Sequence, residues 1–153
     1  MNAIVTIALG GVGWFATHFL ANPLVSLIQI RREAHELLFY IANVYTSDDP
    51  RVERASDNLR RSAAKISALE AAMPCFLRWT LSKLGYDLKK AAGGLVAYSN
   101  ILDAADSSNA AANQGETRYY RETRIQRHCV EKALKLPLTD PEDRITRYIE
   151  QIQ

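Results

Sequence analysis

The first thirty residues, MNAIVTIALGGVGWFATHFLANPLVSLIQI, contain no Asp, Glu, Lys or Arg, and formal charge begins with Arg31 and Arg32. A bilayer core is crossed by about 20 predominantly apolar residues in a helix. The run meets that length, and His18 is its one strongly polar ring. It predicts a single transmembrane helix over residues 1–22; the competing reading is a buried helix of a soluble core. No Lys or Arg precedes the run, and Pro23 follows the candidate cleavage residue Ala21, so the span is expected to stay in the mature chain. Basic residues follow the run at 31, 32, 51, 54, 60 and 61. By the positive-inside rule this predicts a periplasmic N-terminus and a cytoplasmic remainder.

Within the run, Ala3, Thr6, Gly10, Gly13 and Thr17 alternate spacings of three and four, which places them on one stripe. Lipid supplies little hydrophobic drive for helix association, so small residues that let backbones approach, and hydroxyls that bond across helices, supply it instead. The stripe predicts self-association. Two functions fit it: a dry packing seam, or the lining of a pore in a ring of copies.

Downstream, apolar residues keep helical spacing: Leu27, Ile30, Ala34, Leu37, Leu38, Ile41 and Val44, then Val52, Ala55, Leu59, Ala63, Ile66, Leu69 and Met73. Asn22-Pro23 reads either as a helix start or as a kink in one long helix. Asp49-Pro50 and Asp140-Pro141 read as further starts, and Asp87 as the cap of a helix over about 88–105. In the segment PCFLRWTLSKL, Phe76, Leu77, Trp79, Leu81 and Leu84 are expected to be mostly buried, with Gly85 at the helix C-terminus. Gly93-Gly94 weakens the following helix unless another helix passes close to it. No strand-like alternation occurs. The expected fold is all-α: a transmembrane helix over 1–22, a cytoplasmic bundle over 23–105, a flexible linker over 106–117 and basic helices over 118–153.

The pattern points away from an enzyme. There is no GxxxxGK[ST], GxGxxG or HExxH, and His18, His35 and His128 are widely separated. Cys75 and Cys129 form no CxxC pair, so neither a metal site nor a cofactor is expected. Net charge is only +2, which by itself does not indicate nucleic acid.

The better candidate is the basic helix that follows the linker. Arg118, Tyr119, Tyr120, Arg121, Arg124, Arg127 and Lys132 mix cations with aromatic rings, the combination that holds phosphates and stacks bases of single-stranded nucleic acid. A second basic row is Arg51, Arg54, Arg61 and Lys65. The same residues suit two other roles, a solvated face laced with Glu–Arg pairs or attraction to anionic lipid.

The proline after the span, RRE at 31–33, FYIAN at 39–43, Arg60-Arg61 and LVAYSN at 95–100 resemble a group of small bacterial membrane-anchored helical proteins, over roughly residues 19–102. That resemblance implies a bacterial source and the inner membrane. The architecture and the two basic rows are also similar to the membrane channel effectors of Hailong-type anti-phage defence. The resemblance implies an oligomeric channel gated by an oligonucleotide or nucleotide that a partner nucleotidyltransferase makes. The alternative is a membrane-tethered adaptor whose bundle docks a partner protein.

Overall fold

The computed structural model describes the backbone of residues 2–41, 50–107 and 114–150, and side chains within 9–41, 54–104 and 121–150. Among the described residues the fold is all-α, as the spacing predicts. The elements are α1 (Asn2–Ala16), a π-turn (Thr17–Ala21), α2 (Asn22–Ile41), α3 (Pro50–Ala72), α4 (Cys75–Lys83), α5 (Leu88–Ser107), α6 (Gln114–Ala133) and α7 (Glu142–Glu150). Because α1, the π-turn and α2 form one uninterrupted helix, these amount to six helices.

Of the two readings of Asn22-Pro23, a fresh start is the one the backbone does not take. Both Ala16 and Asn22 keep right-handed helical angles, and the Asn22 N–H donates to the Thr17 carbonyl five residues back. Pro23 has no N–H to offer the Phe19 carbonyl. One widened turn takes up the missing bond, a common use of π geometry inside α-helices.

The core begins at Leu27. From α2 it takes Leu27, Ile30, Ala34, Leu38 and Ile41; from α3, Ala55, Leu59, Ala63 and Ile66, with Met73 just beyond its end. These are the two stripes the spacing predicts; the side chains of Val44 and Val52 lie outside the described residues. From α5 and α6 the core takes Leu88, Ala91, Leu95, Tyr98, Leu102, Val130 and Ala133, with Leu134 just beyond the end of α6. The pair α3 and α5 is packed most closely, with α2 on the flank of α3 and α6 on the flank of α5. Arg60, midway along α3, pairs with Asp103 toward the end of α5, and the Asp87 N–H before α5 donates to the Ala133 carbonyl at the end of α6. α6 therefore runs antiparallel to α5.

Gly94 explains the tolerated glycine pair. A Cβ there would lie 2.7 Å from Val130 Cγ2, so α6 crosses α5 at a point where only glycine leaves room, while nothing lies within 4 Å of a Cβ at Gly93. The Lys90 N–H donates to Asp87 Oδ1, the expected cap. Gly85 takes φ +84°, the Tyr86 N–H returns to the Leu81 carbonyl and the Gly85 N–H to the Ser82 carbonyl, a Schellman close to α4.

Two expectations need correction. In α4 only Leu77 and Leu81 are buried, whereas Phe76, Trp79 and Leu84 are exposed. Such a short helix turns one side to the core, and Leu77 and Leu81, four residues apart, fill it. The first two and last four residues of the expected linker are helical, since α5 continues to Ser107 and α6 begins at Gln114; residues 108–113 lie outside the described residues.

Candidate functional site

Among the described side chains before Leu27, residues 9–26, none is buried. Leu9, Val12, Trp14, Phe15, Phe19, Leu20, Leu24 and Val25 are all exposed, on every side of the helix. A helix that is apolar all round belongs in an apolar surrounding. This N-terminal helix is long and apolar enough to cross a membrane.

Gly10, Gly13 and Thr17 are exposed, and a Cβ at Gly10, Gly11 or Gly13 meets nothing within 4 Å. The Thr17 hydroxyl donates to the Gly13 carbonyl at 2.9 Å, which satisfies it within its own helix. At Ala3 and Thr6 the backbone is helical, and their side chains lie outside the described residues. Phe15 and Phe19 stack at 4.7 Å on the side away from the stripe, and Trp14 stacks on His18 at 4.7 Å along its edge. One face is thus small and the opposite one aromatic.

The basic helix α6 is occupied largely by its own chain. Arg127 Nε donates to Glu131 Oε1 at 2.8 Å, and both side chains are nearly inaccessible. The Glu131 carboxylate also accepts the Thr139 backbone N–H and hydroxyl, so it organises the segment between α6 and α7. Arg124 pairs with Asp140 at 3.2 Å, and Lys132 with Glu142 at 2.6 Å. Arg121 is half-buried; the side chains of Arg118, Tyr119 and Tyr120 lie outside the described residues. The second basic row is not brought beside this helix: α5 stands between α3 and α6, and Lys65 is paired with Glu33 of α2 at 2.6 Å. Arg54 and Arg61 are exposed, and the side chain of Arg51 lies outside the described residues.

Next to these pairs is a cleft of about 480 Å³ between the start of α5, α6 and α7, lined by Lys90, His128, Lys132, Glu142, Ile145 and Ile149 among others. Its size falls in the range of small-molecule sites, about 300–1,000 Å³. His128 is buried there with no hydrogen-bond partner for Nδ1. The Lys132–Glu142 pair spans its α6 and α7 walls. Through that hydrogen bond first and its charge second, Lys132 holds the Glu142 carboxyl below its ordinary value, and Glu142 raises the Lys132 ammonium by the same two causes. Spacing along the chain gives no sign of this cleft, since its polar residues come from three separate helices. Among the described residues there is no cluster of His, Cys, Asp or Glu able to hold a metal ion.

No family model, curated protein or solved structure matches the chain.

Proposed function

We propose that this protein is a self-associating channel effector of the bacterial inner membrane, in which the N-terminal helix lines the pore and the helical domain on the cytoplasmic side controls conduction. The observation that supports this reading is the unbroken helix over residues 2–41: its side chains from 9 to 26 are apolar for the most part and unburied, and its last part is embedded in the core. A tether needs no such stiffness. A rigid helix shared by span and bundle lets a change in bundle packing rotate or shift the span, because packed cores switch between discrete arrangements rather than deform continuously.

The gating ligand in this reading is a nucleotide or oligonucleotide made by a partner nucleotidyltransferase, acting in anti-phage defence. It would bind around Arg118 to Arg121 of α6. It gates only if it binds the closed and open states with different affinity.

A tethered adaptor is the second reading. It is favoured by the engagement of Arg124, Arg127 and Lys132 in pairs within the chain, which leaves α6 with less free charge than its composition suggests.

Ion release from liposomes carrying the full-length protein, with and without short oligodeoxynucleotides, separates the readings. Release that is lost on deleting residues 1–22 and altered by oligonucleotide supports the gated channel. Release indifferent to oligonucleotide removes the sensor. Silence from protein that is inserted and oligomeric leaves the adaptor.

A further inference from the structure

The exposed residues of α4 lie at the end of the bundle from which the N-terminal helix emerges. Arg31, one turn beyond the first core residue Leu27, donates to the Tyr86 hydroxyl at 3.1 Å and to the Lys135 carbonyl at 2.7 Å. Tyr86 directly follows α4 and its Gly85 turn, and Lys135 closes α6. The turns after α4 and α6 therefore sit against the helix where it enters the bundle.

At this end the surface is apolar and basic together. Trp79 is 65% exposed, Leu84 56% and Phe76 48%. Phe76, Trp79 and Lys83, spaced by three and four, share the side of α4 opposite Leu77 and Leu81. The Lys83 ammonium lies 5.8 Å from the Trp79 ring centroid. A groove of about 790 Å³ runs under α4, lined by Arg78, Trp79, Tyr86 and Lys89 among others. Large exposed apolar patches on a folded domain mark contact surfaces. Aromatic rings next to Lys and Arg are the composition found at the headgroup level of membranes.

The dimensions agree. The charge-free run of residues 1–30 is about 45 Å long as a helix, at about 1.5 Å per residue. A bilayer with its headgroup layers is about 40–45 Å thick. Arg31 is the first charge after this run and so stands at the headgroup level, and the groups it holds, the Tyr86 hydroxyl and the Lys135 carbonyl, lie at that level with it. Exposed Leu24, Val25 and Ile28 continue the apolar surface of the helix toward that level.

We infer that the α4 face, with Phe76, Trp79 and Leu84 as its apolar part and Lys83 and Lys135 as its charged part, rests in the anionic headgroup layer and fixes the bundle against the bilayer. This rests on the N-terminal helix spanning the membrane. The rings take the apolar–polar boundary and the ammonium groups attract acidic headgroups. The bundle is thereby held at a defined angle to its span.

The two tryptophans, Trp14 and Trp79, test span and surface separately. The full-length Trp14→Phe and Trp79→Phe variants are reconstituted in vesicles of phosphatidylglycerol and phosphatidylcholine, brominated either near the headgroup end of the acyl chains or near their methyl ends. The expected result is that Trp79 emission is lost with the shallow label and kept with the deep one, while the deep label quenches Trp14. Lys83→Glu should weaken the Trp79 quenching and leave that of Trp14 unchanged. Trp14 quenched with Trp79 untouched by either label would overturn the inference and keep the span; a second copy or a protein partner would then be the occupant of this face. Neither tryptophan quenched would overturn both.

Discussion

The Arg31 guanidinium donates to the Lys135 carbonyl at 2.7 Å across 104 residues of chain, and its other terminal nitrogen reaches the Tyr86 hydroxyl at 3.1 Å. Lys135 is the one non-glycine residue with positive φ among the described residues, at 52°. It occupies the left-handed position that ends α6, with the Leu136 N–H returning to the Glu131 carbonyl. Arg31 thus joins α2, just past its charge-free stretch, to the turns that end α4 and α6. Its guanidinium carbon lies 5.5 Å from the Tyr86 ring centroid, which adds a cation–π contact.

Loss of that joint should be visible as stability. Arg31→Ala is expected to cost about 2–3 kcal/mol, from two hydrogen bonds of a charged donor, and Tyr86→Phe about 1 kcal/mol. Urea unfolding of the detergent-solubilised chain measures both. The double variant should cost less than the sum, since one removes what the other loses. Full additivity would mean that the two side chains do not interact.

The adjacent glycines of α5 should respond in opposite directions. Gly93→Ala puts a methyl group into open space on an exposed helix position and is expected to stabilise by about 0.5–1 kcal/mol. Gly94→Ala drives its Cβ to 2.7 Å from Val130 and should destabilise by about 1–3 kcal/mol. Val130→Ala in the Gly94→Ala background should recover part of the loss. Thermal unfolding of the four chains decides it.

How much of this was legible depends on length. The stripes of α2 and α3 repeat over four to six turns, and the core takes them as the spacing predicts, from Leu27 to Ile41 and from Ala55 to Met73. Over the nine residues of α4, composition suggests burial of five apolar side chains where the helix has one buried side, and Phe76, Trp79 and Leu84 face outward. Arg127 reads along the chain as one cation of a basic row. Its burial against Glu131 depends on the 137–140 segment folding back to present Thr139, a contact no helical periodicity encodes. The cleft around His128 is equally silent in sequence, because it exists only where α5, α6 and α7 meet.

Glu131 is 1% exposed and its carboxylate serves Arg127 and both donors of Thr139. Glu131→Ala leaves a nearly buried guanidinium unpaired and two donors without their acceptor, and is expected to cost about 3–5 kcal/mol. Arg127→Met with Glu131→Met should cost less than Glu131→Ala alone, because no uncompensated charge remains. Denaturant midpoints of the two chains give the comparison.

The attachment of α7 should depend on pH through Lys132 and Glu142. The hydrogen bond to Lys132 holds the Glu142 carboxyl below its ordinary 4.5, so its contribution is present above about that pH and is lost as pH falls through the lowered value. Glu142 in turn raises Lys132 above its ordinary 10.5, so that contribution is complete below about that pH and is lost as pH rises through the raised value. Cleavage of α7 by a protease active at low pH should therefore accelerate below about pH 4.5, and less so in Lys132→Ala, where the pair is already absent. High salt at neutral pH should mimic part of the effect, since both groups face solvent.

Gly10→Leu tests the small-residue stripe without disturbing the fold of one chain. A Cβ at Gly10 meets nothing within 4 Å, and no described side chain from residue 9 to 26 is buried, so the substitution displaces no described neighbour within one chain. Leucine is also a better helix former than glycine, which favours the local backbone. In the proposed self-associating channel, any loss then arises between copies, where bulk at a close helix crossing keeps the backbones apart. The expected outcome is an unchanged monomer fold by circular dichroism with loss of crosslinked oligomer and of liposome release. The equally exposed Gly11→Leu, off the stripe, should retain both. Normal oligomers and normal release from Gly10→Leu would remove the stripe from the assembly and from the pore.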